Sequence, residues 1–349
     1  MPFAHTRHDP ARGVLLLLSA ATLATAPARG QSLLFDSHEV LELRIASDFN
    51  GLMAERDSLE LEPFPATISY VAASGEAVRV EAKLRLRGHW RRQKRNCTFA
   101  PIKVDFAKEA RTGTIFEGQG NLKLVVHCRK GERFQQYVLR EYLVYRLYNL
   151  LTPLSHRVRL VRTWYVDTSG KKDSLVAHAF FLENDRMAAE RNGAELFTAT
   201  GARWEHVDAD QGALVSAFQY MIGGSDWSLP GLHNILLFRH QATGGELPVA
   251  YDFDWTGIVN TSYAAPDYRL PIRSVRERLY RGICRTPEEW APVLARFQAA
   301  KEALYAVYDS VPGLDPGYIH DTRRYLDRFY EVIGDPVRLR REMIDPCRE

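Results

Sequence analysis

The sequence has no C-x-x-C pair and no cysteine beside a clustered histidine, so the ligand spacing of a structural zinc site is missing. It has no Walker A run, and Gly118-x-Gly120 is a lone glycine pair, so no phosphate loop of that kind is encoded. After residue 30 no stretch is apolar enough to cross a membrane. No internal repeat and no long low-complexity linker occurs, which leaves solenoid and array architectures aside. Excess charge is also scarce: 46 basic against 43 acidic residues give a net charge of +3, which argues neither for nor against a nucleic-acid partner.

What is present is a globular composition. The 349 residues are 46% hydrophobic and 26% charged, enough for two domains or one domain of two lobes. Residues 1–30 read as an export signal. Arg7, His8 and Arg12 form a basic start, Val14 to Leu23 is a short apolar run, and small residues of the A-x-A kind follow. An uncleaved membrane anchor is the alternative. Export agrees with an even number of cysteines, at 97, 128, 284 and 347. Order along the chain suggests Cys97–Cys128 and Cys284–Cys347 disulfides, with four buried thiols as the other reading. The expected setting is secreted or periplasmic, with no membrane span after signal cleavage.

Hydrophobic periodicity divides the rest. Residues 38–48 and 66–73 alternate as half-buried strands do, and Val78 to Arg87 alternates more cleanly, with Val80, Ala82, Leu84 and Leu86 on one face. Pro101 to Phe106 and Leu122 to Val126 add strands, so the first half begins as a mostly antiparallel sheet. A helical stripe then runs through Tyr137, Leu139, Tyr142, Leu143, Leu147 and Leu150 and stops before Pro153. Strands return at Arg157 to Val166 and Leu175 to Leu182. After residue 185 helices dominate: one over Asp210 to Met221, one opened by the capping box Thr286-Pro287-Glu288-Glu289, and one over Tyr318 to Ile333. Between them Ile235 to Phe238 and Pro248 to Tyr251 read as a hairpin. The expected division is a β-rich unit over 31–184 and a mainly helical unit over 185–349.

The densest polar set lies in residues 224–257. An acid in a loop, Asp226, precedes His233-Asn234 at the start of one hairpin strand, and Asp252-x-Asp254 closes the next. Phosphoryl transfer needs this inventory. A hard divalent cation prefers carboxylate and amide oxygens, here Asn234, Asp252 and Asp254. A further carboxylate, Asp226, would orient the attacking hydroxyl and take its proton. Any one of these acids alone reads as a turn or a helix cap; the ordered set on a hairpin points to a site. His233 reads first as a hydrogen-bonded structural residue. Residues 83–95 are basic, and most of them read as a solvated strand face and loop. Arg87 and Lys103 are retained as phosphate contacts, with Glu183 as an acidic partner. Glu141 reads as a solvated helix face.

At these residues the chain resembles the CotH-like kinase family of atypical secretory kinases. The resemblance spans about residues 78–260 and rests on Arg87-Gly88, Pro101-Ile102-Lys103, Arg140, Phe181-Leu182-Glu183, Asp226, His233-Asn234 and Asp252-Phe253-Asp254. It implies an α+β, two-lobed protein-kinase-like fold, with a small antiparallel-sheet lobe carrying one helix and a larger, mainly helical lobe. It also implies ATP with Mg²⁺ or Mn²⁺, and transfer to an exported protein rather than to nucleic acid. In that reading Asp226 is the acid/base, Lys103 a phosphate contact and Asp252 a metal ligand. AMP transfer, a non-catalytic envelope-binding protein and a paired-carboxylate hydrolase are the competing readings.

Overall fold

A computed structural model describes residues 1, 33–58, 61–198 and 201–347, so the expected export signal lies almost wholly outside the described residues. Strands and helices follow in the order β1 Leu41–Ser47, α1 Phe49–Ala54, β2 Phe64–Val71, β3 Ala77–Leu86, β4 Ile102–Phe106, α2 Lys108–Arg111, β5 Asn121–Val125, α3 Glu132–Leu151, β6 Val158–Asp167 and β7 Leu175–Leu182. Then come α4 Asp185–Arg191, β8 Ala194–Phe197, α5 Ala209–Ile222, β9 Ile235–His240, β10 Glu246–Ala250, α6 Pro287–Val307, α7 Pro316–Gly334 and α8 Pro336–Leu339.

The alternation in β3 turns Val80, Ala82, Leu84 and Leu86 inward and leaves Glu81, Lys83 and Arg85 outside. The inward set packs against Ile45, Ile68, Val104, Leu122, Leu124 and Phe181. The strands that carry these residues form a closed barrel in the order β1-β2-β3-β4-β5-β7-β6. Neighbours are antiparallel except where the ring shuts: β1 pairs in parallel with β6, from Leu41↔Val161 to Ser47↔Asp167. A parallel pair needs a long crossover, and the chain between β1 and β6 supplies it.

This closure corrects the expected fold. A two-lobed kinase-like architecture with a small open sheet predicts free edges on the first sheet; here the seven strands close on themselves and leave none. The sequence-level expectation failed because alternation identifies strands and their buried faces but carries no signal for the partner of β1, which lies more than a hundred residues away.

A second core lies outside the barrel wall. In β7, Phe181 points into the barrel while Phe180 points out against Tyr142 and Tyr145 of α3. α3 is therefore buried on most of its circumference, with α6 beside it and the barrel at its back. α5 is buried along nearly its whole length and ends at Gly223, whose left-handed φ of 68° returns the chain toward the hairpin. β9 and β10 form the expected hairpin and add β8 as a third strand. The capping box at Thr286 is present with both reciprocal bonds.

Both disulfides are present as chain order suggested: Cys97–Cys128 and Cys284–Cys347, with Cα separations of 4.7 and 4.8 Å. Paired thiols of this kind belong to an oxidising, extracytoplasmic compartment. Among the described residues no helix is long and apolar enough to cross a membrane.

Two outcomes follow from this packing. Ile45 of β1 is fully buried between partners on β2 and β6. Ile45→Ala should cost about 2–5 kcal/mol in a urea or guanidinium titration, through lost burial and a cavity at the closing strand. His127, just past β5, is buried against Phe99 and Tyr165, and that burial lowers its pKa to about 4 from 6.5. Between those pH values the unfolded chain binds the proton and the folded one does not. Stability held above pH 6.5 should thus fall as pH drops toward 4, and His127→Phe should flatten that slope in a pH series of melts.

Candidate functional site

The hairpin sets the first half of the site. Its last paired residues are Ile235 and Ala250, and one step beyond, the Tyr251 N–H donates to the Asn234 carbonyl at 3.1 Å. Asn234 and Asp252 then leave the sheet side by side, both with left-handed backbone, φ 54° and 60°. Asn and Asp tolerate this region better than most residues, and such strain persists where surrounding contacts impose it. For Asp252 one such contact is a 2.9 Å bond from its N–H to the Tyr145 hydroxyl of α3.

Asp226 lies in the loop between α5 and β9. Reciprocal backbone bonds between Ser228 and His233, 2.9 and 3.0 Å, pinch this loop shut. Asp226 is thereby brought onto His233, at the pinch, and Asn234, just past it. Its Oδ1 lies 2.9 Å from His233 Nε2, and its Oδ2 accepts from Asn234 Nδ2 at 3.2 Å. Asn234 Nδ2 also donates to the Asp226 carbonyl at 2.7 Å. The carboxylate is held in orientation yet 42% of its side chain is exposed.

The opposite wall comes from the end of β3. Arg87 is still tied to the sheet through its N–H to the Pro101 carbonyl, 2.9 Å, and Gly88, φ 78°, then turns the chain away. The loop that follows carries Trp90 and Arg91 and is fastened at its far end by the Cys97–Cys128 disulfide. Arg91 donates to the Val126 carbonyl and lies 3.9 Å from Asp254. Trp90 packs edge-on to Trp255 and against Tyr263. Together the two walls enclose a cavity of about 480 Å³, lined by Arg87, Arg91, Asp226, His233, Asn234, Asp252 and Asp254 among others.

Behind its wall lies a buried cluster of carboxyl and guanidinium groups. Glu141 of α3 is 3% exposed, and burial, with Asp254 and Asp252 nearby, pushes its carboxyl well above the usual range. Burial and the Asp252 carboxylate raise Asp254 to about 7, against the pull of Arg91 and a 3.0 Å bond from the Tyr263 hydroxyl. Burial lowers the pKa of the Arg87 guanidinium, which Asp252 opposes. The Nε atoms of both Arg87 and Arg91 are buried with no hydrogen-bond partner among the described residues. Guanidinium groups on a cavity wall suit an incoming oxyanion, since the planar fork matches phosphate and carboxylate oxygens.

The residues expected from sequence fall into two groups. Asp226, Asn234, Asp252, Asp254 and Arg87 line the one cavity. Lys103 and Glu183 do not. Lys103 points from the outside of β4, 40% exposed, and sits 4.0 Å from Asp105. Glu183 is fully buried and accepts from Arg157 Nε at 3.0 Å and Arg191 Nη2 at 2.9 Å. Arg140 covers the Tyr318 ring and bonds the Val259 carbonyl at 3.3 Å. Glu141 is corrected from a solvated face to a buried group under the cavity, because α3 is covered on nearly every side. Arg91, His233 and the Trp90–Trp255 pair also line the cavity. Arg91 had no distinguishing signal within its basic run, whereas His233 was marked by its place beside Asn234.

Among the described residues no three His, Cys, Asp or Glu side chains are grouped so as to hold a metal ion. The donors at hand are Asp252, Asp254 and the Asn234 amide, whose nitrogen is the atom turned to Asp226. Oxygen donors of this kind are the ones Mg²⁺ takes, with one or two carboxylates, several waters and phosphate oxygens. No protein-family model matches the chain, and no curated protein matches it.

The Glu183 geometry yields a direct test. Glu183→Gln leaves two guanidinium groups around a neutral amide, which should cost about 3–5 kcal/mol of stability in a denaturant titration. Unchanged stability in that titration would instead show that the two arginines do not depend on the Glu183 charge.

Proposed function

We propose that the chain is an exported, metal-assisted phosphotransferase that moves the terminal phosphoryl group of ATP to a hydroxyl of an exported protein, in the periplasm or outside the cell. The observation that carries this reading is the meeting in one cavity of two guanidinium groups, Arg87 and Arg91, with an oriented acid, amide and acid set. The order Asp226, His233-Asn234, Asp252-Asp254, which resembles the CotH-like kinases, supports the chemistry; the fold implied by that resemblance is no part of the proposal.

In this reading Arg87 and Arg91 bind phosphate oxygens, where their fixed charge needs no reorganisation as the reaction proceeds. Asp226 accepts the proton of the acceptor hydroxyl while that oxygen bonds to the terminal phosphorus and the bond to the ADP oxygen breaks. Its hydrogen bonds to His233 and Asn234 keep the carboxylate turned to the incoming hydroxyl. Asp252 and Asn234, with Asp254 behind them, would hold Mg²⁺ or Mn²⁺, which neutralises charge on the phosphates. The Trp90 and Trp255 rings, packed edge-on, line one side of the cavity.

Purified protein with intact disulfides should label itself or an added protein from ATP carrying the isotope at the γ position when Mg²⁺ or Mn²⁺ is present. Asp226→Asn and Asp252→Ala should each lower labelling by about 10²–10⁴-fold, with the exposed Glu288→Ala as an unaffected control. Label arriving only from α-labelled ATP would mean AMP transfer. No labelling, together with no thermal shift from Mg-ATP, would overturn the proposal.

A further inference from the structure

A second cavity, of about 520 Å³, opens at the barrel end where α1, the residues after β5 and the β6–β7 turn meet, and none of its lining residues lines the first. Pockets of this size at the mouths of β-barrels commonly take one small molecule. Its walls are aromatic. Phe49 meets Tyr165 edge-on at 5.5 Å, Phe99 meets Tyr165 at 5.0 Å, and Phe99 stacks on His127 at 4.7 Å. Phe49 and Tyr165 are almost wholly buried behind this wall, and the half-buried Phe99 and Leu175 give the cavity its apolar surface.

The rim gives the guest its charge, while both ring nitrogens of His127 behind the wall are buried without a hydrogen-bond partner among the described residues. At the rim stand the exposed Lys130, Lys171 and Lys172, none in an ion pair among the described residues. The rim also has two carboxylates, Asp167 and Asp173. Asp167 is already occupied by the N–H groups of Asn50, Lys171 and Lys172 and by the Ser169 hydroxyl, which shape the turn and hold both lysines at the opening.

We propose that this cavity is a binding site for a small aromatic anion, its ring against Phe99 and Leu175 and its charge toward Lys130, Lys171 and Lys172. The site is independent of the phosphotransfer reading.

The test is calorimetric titration of the full chain, disulfides intact, with 2-naphthoate and with uncharged 2-naphthalenemethanol. The expected result is saturable one-to-one binding of the naphthoate, with the alcohol about tenfold weaker or more. Lys171→Glu with Lys172→Glu should weaken the naphthoate by a similar factor, and Ser174→Trp at the rim should block it, at unchanged melting temperature. No saturable heat, equal affinity for the two probes, or binding that survives Ser174→Trp would each overturn the proposal. The two-probe comparison needs no variant, so it stands even if a substitution disturbs folding.

Discussion

The parallel pairing of β1 with β6 is the constraint on which the rest of the described structure depends. It shuts the barrel, and a shut barrel has no sheet edge to cover. The outer wall becomes available as a packing surface, and β6 and β7 bury side chains on both of their faces. α3 lies against that wall through Tyr142 and Tyr145. From there Tyr145 reaches the backbone of Asp252, and Glu141 lies beneath the cavity. A long-range strand pairing is thus transmitted, through one aromatic helix, to the residues that line the candidate site.

The site itself is governed by desolvation. Two guanidinium groups and two carboxyl groups stand where water is largely excluded, and each is tolerable only because the others are near. Such an arrangement is poor as a stabilising device and good as a receiver of charge. An anion meets donors that are already fixed, and a cation meets carboxyl groups whose ionisation it favours. The strained backbone at Asn234 and Asp252 belongs to the same economy of position, since both residues are turned out of the hairpin at the point where their side chains meet the cavity.

Much of the local structure was legible without coordinates. The period-two pattern of β3, the stripe of α3, the capping box of α6 and the β9–β10 hairpin all follow from spacing and local chemistry, and each occurs within a few residues of its expected limits. The convergence of Asp226, Asn234 and Asp252 was legible too, because a short hairpin leaves few places for its flanking residues to go. Short elements such as β8, α1 and α4 were missed, since a single turn or four strand residues make no period. Lys103 and Glu183 show the limit of reading roles from order alone. Each occupies the strand position expected of it, yet one faces out of the barrel and the other is enclosed by Arg157 and Arg191.

By itself the sequence determined which segments alternate, which are helical, which cysteines follow one another and which polar residues flank the hairpin. All of these are set by interactions over a few residues, or by simple order. Only the tertiary structure decided that the first sheet closes, that Arg91 joins the cavity with Glu141 buried behind it, and that His127 stands unpartnered at a second one. Those outcomes depend on contacts between residues far apart in the chain. The energy of such contacts comes from the burial of whole faces, which no single stretch of sequence records.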